Sequence, residues 1–133
     1  MAYWLLKTEP SDYAYADLEK DQGTVWDGVS NNLALKHLRQ IRRGDQALIY
    51  HTGRERMVVG IAEVTSDPFP DPERDDPRLV VVEVKPGRRL PRPIPLADIK
   101  SDPELKEFDL VRLPRLSVMP VAENVWNRLL SGR

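Results

Sequence analysis

Residues 45–65 read DQALIYHTGRERMVVGIAEVT, and this stretch decides the fold. Asp45 to Tyr50 and Met57 to Thr65 are short, rich in aliphatic residues and bounded by polar ones, the pattern of two consecutive strands. HTGRER between them has the composition of a turn, so the segment predicts an antiparallel hairpin. Upstream, Gly44 terminates a helix predicted over Asn31 to Arg43, where Ala34, Leu35, Leu38 and Ile41 make an apolar stripe and Lys36, Arg39, Arg42 and Arg43 a basic flank. Further upstream, Tyr3 to Lys7 reads as a strand stopped by Pro10, Ser11 and Asp12, and a short helix is predicted around Tyr15 to Lys20 before Gly23. Downstream, SDPFPDPERDDP holds four prolines in twelve residues and is expected to be a surface loop.

RLVVVEVK (78–85) resumes the sheet, PGRRLPRPIP (86–95) reads as a Pro-rich turn or edge, and Leu96 to Lys100 and Pro103 to Glu107 as helical turns. Arg115 to Pro120 is a last strand or extended segment. Val121 to Leu130 is a helix expected to bury Ala122, Trp126, Leu129 and Leu130. Strands interrupted by long excursions, with helices between, give an α+β class and suit a small, bent sheet or barrel with helices at its ends.

At 133 residues, with 41% hydrophobic and 31% charged residues, the whole chain (1–133) is expected to be one domain. It has no apolar run long enough for a membrane span and no secretory leader, so no membrane association and a cytoplasmic location are expected. Zero cysteines exclude disulfides and thiol chemistry, and the two histidines, His37 and His51, are too few for most transition-metal sites. No cofactor is expected. The net charge of −1 conceals segregation: residues 1–29 and 61–84 are acidic, while residues 30–60 and 85–133 are basic. The two basic segments either form one face or scatter over the surface.

Motifs for phosphate binding, acyl transfer or metalloproteolysis are absent. His51 reads as a base, or as a polar residue at a strand end or pocket wall. VWDGVSNN (25–32) offers Trp26 as an aromatic face, Asn31 as a paired donor and acceptor, and the start of a helix. The same residues also read as a core tryptophan, a turn at Asp27-Gly28 and a helix cap at Asn31.

YWLLKTEP (3–10), WDGV (26–29), Gly44-Asp45, YHT (50–52), VGIAEV (59–64), FPD (69–71) and RLSVMPV (115–121) occur in an order and extent by which the chain resembles the EVE-domain family. This is a thymocyte nuclear protein-like group of the PUA-like superfamily, alongside YTH and ASCH domains. The resemblance implies a PUA-like β-barrel flanked by short helices, with a pocket for a modified base: a substituted cytosine flipped out of DNA, or a modified base in RNA. It implies one pocket wall from Lys7, Thr8, Glu9 and Pro10, with Glu9 paired to Lys7 or to a ligand amine. It further implies a stacking face from Trp26, an edge contact from Asn31, His51 and Thr52 near the mouth, and Ser117, Val118 and Met119 completing the lining. The chain departs from the family pattern at Thr8, where Ser is common, at Ser30, where Arg is frequent, and at Met119, where Gln is frequent.

The reading is a non-enzymatic reader of a modified nucleobase, partnered by nucleic acid, with Lys36, Arg39, Arg42, Arg43, Arg54 and Arg56 meeting phosphates. The alternatives are an ASCH-like enzyme acting on a nucleotide or nucleoside with Glu9 as base, and a sensor of a free modified nucleoside. Trp26 is expected to stack on the ligand, whereas Trp4 and Trp126 are expected in the core.

Overall fold

The computed structural model describes residues 1–131, and a single bent sheet organises them. Its elements in chain order are β1 (Tyr3–Thr8), α1 (Tyr15–Asp21), β2 (Thr24–Trp26), α2 (Asn32–Leu38), β3 (Gln46–His51), β4 (Met57–Val64), β5 (Phe69–Pro70), β6 (Val80–Pro95), α3 (Leu96–Ser101), a 3₁₀ turn (Pro103–Leu105), α4 (Asp109–Arg112), β7 (Val118–Val121) and α5 (Glu123–Leu130). The strand order is β2-β6-β4-β3-β1-β7, with the two-residue β5 also on β6. β1 and β3 run parallel, Tyr3 opposite Gln46 and Thr8 opposite His51, and the other pairs are antiparallel. The sheet curls into a half-barrel of PUA-like type that brings β1, near one margin, across from β2, the other margin.

The hairpin forms as its sequence pattern predicts, with Ala47, Leu48, Ile49, Val58 and Ala62 fully or almost fully buried. The helix after Asn31 is shorter than expected. It ends at Leu38, and residues 39–44 form turns, because Asp45 captures the chain there. The buried Asp45 carboxylate accepts from the Ala2 amide (3.0 Å), the Trp4 indole N–H (2.9 Å) and the Arg42 amide (2.9 Å). One side chain thus ties the N-terminus, β1 and the turn into β3, and leaves none of those buried donors unpaired.

Two expectations about proline-rich segments are corrected. Residues 86–95 are the second half of β6, a sixteen-residue strand, and pair with β4 alone, so of the two readings the edge holds and the turn does not. Between the pairs Gly60–Arg89 and Val58–Ile94, β4 advances two residues while β6 advances five. The surplus forms a bulge containing Pro91 and Pro93, where a missing N–H costs the ladder nothing, and the bulge adds to the curl. Residues 66–77 are anchored and not merely a loop: Phe69 and Pro70 pair with Val81 and Val80. The buried Asp71 accepts from the Glu73 amide (2.9 Å) and Arg74 Nε (2.8 Å), contacts that hold its carboxyl below the usual carboxylate range.

Trp4 and Trp126 lie in the core as expected, Trp126 stacked on Tyr3 at 4.3 Å between ring centroids. In α5 Trp126 and Leu129 are buried, but Ala122 precedes the helix and is exposed, and Leu130 is half-buried. No helix among the described residues is long and apolar enough to cross a membrane.

Candidate nucleic-acid interface

The C-terminal ends of β1 and β3 point the same way because the strands are parallel, and the chain segments leaving them build a cleft. Lys7 and Thr8 end β1. The carbonyl of Glu9 then accepts from the amides of Asp12 and Tyr13, both at 2.9 Å, and Thr8 Oγ1 donates to the Tyr13 carbonyl at 2.7 Å. Those bonds fold residues 9–13 back over the strand end. α1 begins at once, and the Tyr15 amide, one of the donors a helix start leaves without an internal partner, donates to His51 Nε2 at 3.0 Å. The His51 ring is therefore the tautomer with hydrogen on Nδ1, which donates to Glu55 Oε1 at 2.8 Å.

β2 follows α1 along the margin of the sheet, pairing Thr24 with Val84 and Trp26 with Val82. Between it and the end of β1 lies a cleft of about 430 Å³ lined by Lys7, Thr8, Asp12, Tyr13, Thr24, Val25, Trp26 and Asp27. Lys7 Nζ donates to the Pro114 carbonyl at 2.9 Å and stands 5.6 Å from the centre of the Tyr50 ring. Burial holds its pKa below the ordinary lysine value. One of its three hydrogens is used on Pro114, leaving two for a ligand. Tyr13 meets Trp26 edge to face, at 6.3 Å and 85°, and donates its hydroxyl to Asp21 Oδ2 at 2.9 Å. Among the described residues neither Asp12 nor Asp27 has a hydrogen-bond partner for its exposed carboxylate. The cleft thus sets a cationic donor and hydroxyls beside two free acceptors and an aromatic edge, the equipment for holding the polar edge of a planar heterocycle.

Of the residues anticipated for this pocket, the structure brings Lys7, Thr8 and Trp26 together. Trp26 is only 7% exposed and packs into the core, so it leaves little of its ring open for stacking. Glu9 faces away: it accepts from the Ser11 amide and hydroxyl, both at 3.0 Å, which lowers its pKa, and it lines a separate groove with Pro10, Ser11, Gly53, Arg54 and Glu55. It has no contact with Lys7, because consecutive odd residues diverge once the strand ends at Thr8. Asn31 caps α2, its Oδ1 accepting from the Ala34 amide at 3.0 Å. His51 is buried behind the cleft, supporting α1. Thr52 bonds to the Thr8 carbonyl through its amide at 2.9 Å. Val118 and Met119 are fully buried opposite Leu6 and Leu5, and Ser117 accepts the Lys7 amide through its carbonyl. These three lie beside β1 in the sheet and are not among the residues that line the cleft.

The anticipated phosphate contacts separate into two ends. Arg42 and Arg43 precede β3, and Arg54 and Arg56 follow it, so a six-residue strand, roughly 17–20 Å, lies between the pairs. Arg39 donates to the Arg78 carbonyl at 2.6 Å, and Arg42 to the carbonyls of Arg39 and Ile41, both at 2.8 Å. Lys36 is exposed on α2. Of these anticipated cations, Arg54 and Arg56 follow β3 at the cleft's end of the sheet. Asp12, Tyr13, Thr24 and Asp27 also line the cleft and were not anticipated there, although Asp12 and Tyr13 directly follow the strand-stopping Pro10-Ser11.

Comparison with known proteins places this geometry. The model of the EVE domain matches residues 2–132. Human thymocyte nuclear protein 1 is 28% identical over 98% of this chain and 73% of its own length. An NMR structure of Rpa0253 from Rhodopseudomonas palustris superposes with a TM-score of 0.92 at 37% identity, covering 97% of this chain and 90% of that one. The crystal structure of human THYN1 in complex with DNA containing 5-methylcytosine superposes with a TM-score of 0.90 at 28% identity, covering 98% and 96%.

Proposed function

This chain belongs to the EVE-domain family, and from that membership and the geometry of the cleft we propose that it is a non-catalytic reader that holds a modified cytosine of DNA between β2 and the end of β1. The observation that carries the reading is the donor and acceptor set of the cleft. A cytosine presents an exocyclic amine, which carboxylates accept, beside ring acceptors that a lysine can serve. Asp12 or Asp27 takes the amine, Lys7 donates to the neighbouring acceptor, and the edges of Trp26 and Tyr13 meet the ring. A volume of about 430 Å³ falls within the ~300–1,000 Å³ of ligand pockets. The solved DNA complex of human THYN1, which shares this fold over almost the whole chain, supports both the polymer and the modification.

In a duplex the base must leave the stack, at a cost of a few kcal/mol that the cleft contacts offset. Phosphates are met by cations at the cleft's end of the sheet, Arg54, Arg56 and Arg115, which position the strand while the cleft specifies the base. The enzymatic alternative loses its base, since Glu9 does not face the cleft.

The test is fluorescence anisotropy with oligonucleotides that differ only in 5-methylcytosine against cytosine. The parent protein should prefer the modified strand. Asp12→Ala with Asp27→Ala should lower that affinity by roughly tenfold, because the amine then loses its charged acceptor, and a hydrogen bond to a charged group is worth about 1.5–3 kcal/mol. Equal affinity for both strands, unmoved by the double substitution, refutes the proposal.

A further inference from the structure

Among the described residues three large apolar side chains are exposed: Met1, Val25 and Leu33. Met1 is the first residue of the chain, and the other two flank the cleft. Val25 lines it directly. Leu33, 40% exposed on the first turn of α2, belongs to an adjoining groove of about 320 Å³ with Leu113, Pro114 and Arg115. Cleft and groove share a wall, because the Lys7 ammonium that lines the one donates to the carbonyl of Pro114 in the other at 2.9 Å. Asn31 also borders the groove; its Oδ1 is used on the Ala34 amide, and its side-chain N–H groups stand beside a floor of aliphatic side chains and a proline ring. Arg115 is exposed at its edge and has no acidic partner among the described residues.

We infer that this groove is a second subsite, which takes the nucleotide next to the one in the cleft, with the base or sugar lying on Leu33 and Pro114 and the phosphate drawn to Arg115. The inference rests on the reading of the cleft as a nucleobase site. Extruding a base strips its neighbour of a stacking partner, and apolar side chains placed at the opened step are a common compensation in base-extruding and DNA-kinking proteins. Continuity with the cleft and the charge of Arg115 favour a nucleotide over an apolar peptide, which would leave the cation without a partner.

The experiment compares two probes by calorimetry: the nucleoside 5-methyl-2′-deoxycytidine, which occupies the cleft alone, and a short single-stranded DNA carrying one 5-methylcytosine, which reaches both subsites. Leu33→Ser should weaken the DNA by about tenfold, the lower part of the range for a base losing its platform, and leave the nucleoside and the melting temperature unchanged. Arg115→Ala should make the salt dependence of DNA binding shallower by about one phosphate contact. Undiminished DNA affinity in Leu33→Ser overturns the subsite, as does an equal loss for both probes. A parent protein that binds no nucleoside, or binds modified and unmodified DNA alike, fails the cleft reading instead. The Leu33→Ser comparison on unmodified DNA then still decides the groove.

Discussion

Replacing Trp26 by alanine separates a core role from a ligand-stacking role. The ring is 7% exposed and meets Tyr13 edge to face. A tryptophan buries up to about 250 Å², and at ~25 cal/mol per Å² the covered part is worth up to about 6 kcal/mol before allowing for what alanine retains. Core truncations of tryptophan cost about 3–5 kcal/mol, and the open cleft beside Trp26 lets neighbours relax, so the lower end applies, about 3 kcal/mol. In a domain of this size that lowers the melting temperature by roughly 10–15 °C. Base–aromatic stacking is worth about 1–3 kcal/mol when a whole face is offered; a ring with 7% exposure supplies the low end, less than about a tenfold loss of affinity. Trp26→Phe keeps an aromatic edge and should lose about half of the stability change. Thermal melts by circular dichroism, with binding measured well below both transitions, read the two effects separately. A Trp26→Ala protein that melts within a few degrees of the parent while losing a hundredfold in affinity refutes the packing argument, and shows that the ring turns outward to its ligand.

Asp45→Ala should destabilise the fold by about 3 kcal/mol or more in urea unfolding, because the amides of Ala2 and Arg42 and the buried indole N–H of Trp4 lose their acceptor together. Arg39→Ala with Arg43→Ala should leave the salt dependence of DNA binding unchanged, whereas Arg54→Ala with Arg56→Ala should make it shallower by up to two phosphate contacts; the reverse pattern would move the phosphate face to the far end of β3. His37 Nδ1 is buried without a hydrogen-bond partner among the described residues, and burial, outweighing the opposing pull of Asp109, lowers its pKa below the ordinary histidine value of about 6.5. The unfolded chain therefore binds the extra proton more readily, so the contribution of His37 to stability is complete above about pH 6.5 and is lost as pH falls towards its folded value. His37→Gln should flatten that part of the stability profile in denaturant titrations at successive pH values.

Local pattern determined much of this protein. Aliphatic runs between polar turns specify β1, β3, β4 and the first half of β6; the apolar periodicity around Leu35 and Trp126 specifies α2 and α5; and the ordered motifs from YWLLKTEP to RLSVMPV identify the family, and with it the half-barrel. Lys7, Thr8 and Trp26 were legible as residues that meet in one cleft because a strand end with mixed charge and a tryptophan beside Asp-Gly stand out from any core pattern. What the sequence could not decide was which neighbours those residues meet. Glu9 differs from Lys7 by two positions, yet the bonds from its carbonyl to the Asp12 and Tyr13 amides turn the chain and send its carboxylate to Ser11. Asp12 and Tyr13 become cleft walls only through that turn. The strand's length places the Arg-rich run before β3 at the end of the sheet away from the cleft, and the prolines of residues 86–95 look like a stop until a three-residue bulge gives them room. Propensity and periodicity act over one or two turns of chain, whereas a cleft is made by strand direction, register and bulges, which couple residues more than a hundred positions apart, as Lys7 is coupled to Pro114.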